Sequence, residues 1–216
     1  MLKADSFLHT TLMRSDLLND LLPLTAEHLL LVASAMAAAI LMGLPLGILV
    51  SRAKSARWLL GFASVVQTIP SLALFGFLIP IPLVGGIGKR TAIVALALYA
   101  LLPILRNTFV GIVSVDPAVC DSAVAMGMTD GQLIRQVQLP LAARTILAGV
   151  RVATVATIGT ATIAAAIGGG GLGVFIFRGI ASVDTAQILA GAIPAAAMAL
   201  AADGVLGWIE RRLAPG

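Results

Sequence analysis

Ser114 to Pro140 reads SVDPAVCDSAVAMGMTDGQLIRQVQLP, a polar interruption in an otherwise oily chain. The runs on either side suit lipid, whereas this stretch suits contact with another protein. Of the 216 residues, 59% are hydrophobic and 11% are charged, against about 25% charged in a soluble domain. The mean hydropathy is +1.05. A soluble domain of this length buries a good core but cannot hide so much apolar surface. The chain therefore reads as an integral membrane protein.

A hydrocarbon core of about 30 Å needs about 20 helical residues. Five stretches qualify: 26–50, 57–83, 91–113, 141–167 and 186–209. Pro70 and Pro80 interrupt the second, and Pro103 lies inside the third. Small residues recur in them and allow close helix packing, and proline is tolerated where neighbours satisfy the freed carbonyl. The expected fold is all-α, with five transmembrane helices in a domain over 25–213. Residues 1–24 mix Lys3, Asp5, Arg14, Asp16 and Asp20 with leucines. They lack the compact apolar core and cleavage site of a signal peptide and are expected to form an interfacial or extracytoplasmic segment.

Five crossings put the termini on opposite sides. One side receives Arg52, Lys54, Arg57, Arg106, Arg135, Arg144, Arg211 and Arg212; the other receives Lys3, Arg14, Lys89, Arg90 and Arg178. The richer side is expected in the cytoplasm, with the N-terminus outside, the C-terminus inside and 114–140 cytoplasmic. The isoelectric point near 10 then reflects membrane topology rather than nucleic-acid binding. The single Cys120 excludes an intramolecular disulfide.

Within the interruption, Asp116 is placed to cap a helix with Pro117 at its first position. Gly127 suits the left-handed residue that ends it. Thr129 with Gln132 three residues on forms a capping-box pattern, and Pro140 predicts a break before the next span. The expected result is two short helices around a glycine elbow, too short to be stable alone in water. They serve either as an ordinary interfacial loop or as a lever for a cytoplasmic partner.

These residues resemble the EAA signature of importer-type ABC transporter permeases: Glu-Ala-Ala, three residues, Gly, nine residues, Ile, one residue, Leu-Pro. Here Asp121-Ser122-Ala123, Gly127 and Val137-x-Leu139-Pro140 keep the spacing, with Asp for Glu, Ser for Ala and Val for Ile. Gln67 to Leu74, Leu98 to Thr108, Ser114 to Pro117, Ile158 to Thr162 and Gly170 to Gly173, followed by Phe175-Ile176, resemble the osmoprotectant branch. That branch carries glycine betaine, choline, carnitine and related quaternary amines. The resemblance covers roughly Leu30 to Leu213. It implies that 114–140 forms a coupling helix on an ATPase, with Asp121, Ser122, Ala123, Gly127, Met128, Thr129, Leu139 and Pro140 carrying the docking. It also implies a second permease subunit, identical or paralogous, a pair of ATP-binding subunits, an extracytoplasmic substrate-binding protein and the bacterial inner membrane around them. ATP and Mg would sit on the partner ATPase and no cofactor on this chain, which has no Walker motif. No fused binding domain is expected before Gly216.

The Gly168–Gly171 run lacks the strand before it and the Gly-Lys-Ser/Thr after it that a phosphate loop requires. It is either a flexible outer loop or, by the resemblance, part of a gate that includes Gly170, Gly171 and Leu172. Gln67, Thr68, Pro70 and Ser71 in span two, with Tyr99 in span three, either line a pathway or satisfy backbone groups; Asn107 is expected at a helix end. Asp203 inside span five needs an offset for its charge, and Arg151 is the expected partner. His9 and His28 have no metal-site spacing, and His28 is expected at the outer end of span one. No arrangement suits catalysis, so an enzyme is not expected. Cargo of another kind, such as an amino acid, is the nearest alternative. An ion-coupled transporter using Asp203 and an assembly factor without cargo are the more distant ones.

Overall fold

A computed structural model of the chain describes residues 2–82 and 84–213, with side chains from residue 19 onward. The described residues form helices α1 (Leu2–Arg52), α2 (Trp58–Thr68), α3 (Ser71–Leu78), α4 (Lys89–Val113), α5 (Pro117–Ala125), α6 (Asp130–Gln132), α7 (Leu139–Ala161), α8 (Gly173–Ser182) and α9 (Thr185–Arg212). Among the described residues, four apolar stretches are long enough to cross a membrane: Asn19–Arg52, Lys89–Val113, Asp130–Ile167 and Thr185–Arg212. The pair Lys54–Thr68 and Ser71–Leu78 makes a fifth crossing if its two halves count as one. The expected span 57–83 is thus broken. Pro70 disfavours the helical conformation at the residue before it, and Ile69 is extended, with φ −70° and ψ 126°.

The first apolar crossing, described from Asn19 to Arg52, belongs to a helix whose backbone runs unbroken from Leu2. The surroundings of side chains 1–18, expected in the interface, lie outside the described residues.

The chain divides into two compact units. One comprises 35–70, 96–157 and 200–216. There Gly43 and Gly47 of α1 face Ile104 and Thr108 of α4: a Cβ on Gly43 would lie 2.8 Å from Ile104, and one on Gly47 2.5 Å from Thr108. Gly149 of α7 sits equally close to Asn107. Residues four apart share a helix face, so the spacing G-x-x-x-G brings two backbones together along one stripe.

The other unit comprises 1–34, 71–95 and 158–199. Leu172, Phe175 and Ala195 form a buried cluster onto which Leu21, Leu24 and Met198 pack. A sharp turn joins α8 to α9. Val183 adopts the left-handed conformation, with φ 55° and ψ 37°, and is 90% exposed. The Asp184 N–H donates to the Gly179 carbonyl at 2.8 Å. Asp184 Oδ1 in turn accepts from Ala186 N–H at 2.9 Å, capping α9. A β-branched residue is strained there, at a cost of about 1–2 kcal/mol, and glycine is the usual occupant. Val183→Gly is therefore expected to raise stability by about 1 kcal/mol, after glycine's own entropy is discounted. Thermal unfolding in detergent checks this; a fall in the midpoint contradicts it.

Candidate functional site

The polar segment is built as its caps dictate. Asp116 Oδ1 accepts from the Ala118 N–H at 2.9 Å ahead of Pro117. Gly127 has φ +86°, and the Met128 N–H closes the end of α5 on the Ala123 carbonyl at 3.2 Å. Thr129 and Gln132 form the full capping box. Ala123 and Leu133 are buried and anchor the segment. Gln138 Nε2 donates to Sγ of Cys120 on α5 at 3.6 Å while its Oε1 accepts from Arg52 Nη2 at 2.8 Å. Asp121, Ser122, Thr129 and Pro140 are exposed, Met128 and Leu139 partly so. Apolar side chains also stand clear: Val119 is 42% exposed, Val124 54% and Met126 74%. The capped, anchored segment thus exposes a carboxylate, Asp121, together with apolar side chains.

The expected break at Pro140 does not occur. Leu133–Gln138 winds as a π-helix directly into α7. The Leu139 N–H reaches back five residues to the Ile134 carbonyl. The wider turn carries the helix past a residue that has no N–H to donate. The second short helix is therefore the foot of α7.

Gln67 and Tyr99 serve two broken ladders at once. Pro103 offers no N–H to the carbonyl four residues earlier, that of Tyr99, and Gln67 Nε2 donates to it at 2.9 Å. The Tyr99 hydroxyl donates to the Ile69 carbonyl beside Pro70. Thr68 Oγ1 donates within its own helix to Val65 at 2.7 Å. Asn107, expected at a helix end, lies well inside α4 and donates to Pro103 at 2.8 Å. Gln67, Thr68 and Pro70 are exposed, and Ser71 and Tyr99 partly buried.

Arg151 on α7 meets Asp203 on α9 through two bonds of 2.7 Å, Nε to Oδ1 and Nη2 to Oδ2. Its Nη1 also reaches Glu210 Oε2 at 3.3 Å, and Arg144 lies 3.8 Å from the other Glu210 oxygen. Arg144 and Arg151, like Asp203 and Glu210, are seven apart, which returns each pair to one helix face. The result is a charged ladder between antiparallel helices. Gly207 makes room for it: a Cβ there would lie 3.0 Å from the guanidinium carbon of Arg151.

The glycine run is held by a residue that sequence reasoning missed. Glu27 on α1 pairs with Lys89, and its Oε2 accepts from the Gly171 N–H at 2.9 Å. Gly168, Gly170 and Gly171 all have positive φ, and a side chain on Gly170 would collide with the Glu27 carboxylate. His28 is not at a helix end. It is fully buried, with Nε2 3.1 Å from the Ile158 carbonyl. Leu172 is also fully buried, in the cluster with Phe175 and Ala195. A carboxylate at the start of an apolar run was the signal available for Glu27, but not for its partners. Glu27→Ala is expected to lower stability by about 1–2 kcal/mol, a range reduced for the half-exposed Lys89. Glu27→Gln, which keeps an acceptor for Gly171, is expected to cost less. Equal thermal midpoints for the two variants would contradict the hydrogen-bond assignment.

Residues 35–215 match the family described as binding-protein-dependent transport system inner membrane component. The chain is similar to the glycine betaine/carnitine/choline transport system permease protein OpuCD of Bacillus subtilis (strain 168), with 48% identity over 191 residues, covering 88% of this chain and 82% of that one. It is similar to the carnitine transport permease protein OpuCD of Listeria monocytogenes, with 47% identity over 88% of this chain and 84% of that one. Its fold resembles inward-facing structures of the MetNI methionine ABC transporter, with a TM-score of 0.79 over 88% of this chain and 94% of that chain. At 22% identity, that likeness speaks for the fold alone.

Proposed function

The chain belongs to the family of binding-protein-dependent transport system inner membrane components, and on that premise we propose that it is the permease subunit of an ATP-driven importer of osmoprotectants. Glycine betaine, choline, carnitine or similar quaternary amines are the cargo. The observation that carries this is the 48% identity to a glycine betaine/carnitine/choline permease over most of both chains.

Two such subunits, identical or paralogous, enclose one pathway. Residues 114–140 face the cytoplasm and dock on an ATP-binding subunit, with Asp121 opposite a basic group and Val124 and Met126 in apolar contact. The broken pair Lys54–Leu78 counts as one crossing, so the N-terminus is outside and the C-terminus inside. Gln67, Thr68, Pro70, Ser71 and Tyr99 border the pathway, and Gly170 and Gly171 its outer gate. ATP and Mg bind the partner, whose closure moves the docking segment as a rigid lever because caps, buried anchors and the Arg52–Gln138–Cys120 chain hold it. Quaternary amines are commonly recognised by aromatic cages. Aromatic residues make up 5% of this chain, so the tight cage belongs on the separate binding protein.

An ion-coupled transporter using Asp203 is the weaker reading, because both Asp203 oxygens are engaged by Arg151. Amino-acid cargo rests only on the fold likeness. Co-purification discriminates: the ATP-binding subunit is expected to stay with the wild-type chain and to leave when 117–128 is replaced by a Gly-Ser linker. Retention after the replacement would contradict the docking assignment.

A further inference from the structure

Arg106 stands on α4 about two turns before its end at Val113, inside an apolar crossing. No carboxylate or hydrogen-bond partner meets it among the described residues, whereas Arg151 is matched by two carboxylates. An ionisable group within a crossing is costly and marks function by default. Its surroundings are specific. Arg106 lines a groove of about 340 Å³ with Leu102, Phe109 and Val110 of α4 and Leu60, Gly61 and Ser64 of α2. The α4 residues follow i, i+4, i+7, i+8, one helix face. On the opposite wall, a Cβ at Gly61 would meet nothing within 4 Å; the glycine leaves the groove open.

We propose that this groove is a subsite for a small zwitterion that carries both a quaternary ammonium and a carboxylate. The guanidinium takes the carboxylate, for which its planar fork is matched. Phe109 and the aliphatic wall receive the methylated ammonium, which is apolar at its surface and drawn to an aromatic face. The volume lies at the small end of the range for small-molecule pockets, about 300–1,000 Å³, which suits a compact solute. The inference rests on the osmoprotectant reading and sharpens it. Glycine betaine and carnitine bear a carboxylate and choline does not, so Arg106 separates the two kinds of cargo. The openness of the groove also keeps such a site weak, as passage requires.

The experiment is uptake of labelled glycine betaine, carnitine and choline by the complete complex in liposomes, with binding protein saturated throughout. Arg106→Gln is expected to cut uptake of glycine betaine and carnitine about tenfold or more while choline uptake stays at the wild-type level. Arg106→Lys restores part of the loss. Gly61→Leu, which fills the groove without a clash, is expected to lower all three. If Arg106→Gln does not assemble, Gly61→Leu decides, and unchanged uptake in that variant overturns the subsite. Equal loss of choline and glycine betaine in Arg106→Gln also overturns it, since a general lesion or a lipid headgroup contact would act so. A wild-type complex that carries none of the three contradicts the cargo reading itself and the subsite with it, a result distinct from any variant's.

Discussion

Asp203→Leu is expected to leave most of the chain misassembled. The carboxylate holds the guanidinium of Arg151 through two parallel bonds of 2.7 Å, an arrangement that gives direction as well as attraction. Glu210 lies at 3.3 Å and offers a second anion, so the loss is not total. Its other oxygen faces Arg144 only at 3.8 Å, too far to anchor the network alone. Removing Asp203 leaves Arg151 only the 3.3 Å contact to Glu210, and a half-matched charge between two membrane helices is more harmful than never having had the pair. Asp203→Asn, which still accepts a hydrogen bond, is expected to be milder, and Asp203→Leu combined with Glu210→Gln more severe than the two losses added. The yield of monodisperse complex after mild heating measures this. Normal yield with abolished uptake would contradict the structural role and return Asp203 to the transport chemistry.

Gly127→Val is expected to leave the chain in the membrane and release the ATP-binding subunit. Gly127 has φ +86°, and nothing lies within 4 Å of a Cβ placed there. The penalty is therefore one of backbone conformation rather than collision. An L-residue in the left-handed region costs about 1–2 kcal/mol, and a β-branched one more. That suffices to open the turn closed by the Met128 N–H on Ala123. Opening it displaces Val124 and Met126 relative to the buried Ala123 anchor. Gly127→Asn is expected to retain association, because Asn tolerates this region; Gly127→Ala should be intermediate. Full association by Gly127→Val would show that the elbow geometry does not carry the docking.

The residues that were readable are those whose chemistry is local. Asp116-Pro117, Gly127 and Thr129-Gln132 act within a few positions of themselves, so their caps are legible one residue at a time. Arg151 and Asp203 are legible because an isolated carboxylate in an apolar run demands an offset. Their extension to Arg144 and Glu210 was available in the seven-residue spacing of each pair. What was not legible depends on distant chain. Glu27 bonds the Gly171 N–H across 144 positions, and no periodicity announces that. His28 is buried against the Ile158 carbonyl, 130 positions away, a contact that local pattern does not announce. The π-helix before Pro140 needs a choice between stopping and widening the ladder, and the proline rule alone selects the stop. Val183 gives no signal at all, because a β-branched residue is the last expected at a left-handed turn.

The most direct measurement is ATP-driven uptake by the complete complex in liposomes, with labelled glycine betaine, choline and carnitine competing. Uptake of at least one of them is expected, and it should require ATP, the binding protein and an intact 114–140 segment together. Uptake that persists without the ATP-binding subunit, or none of these solutes carried while an amino acid is, would contradict it.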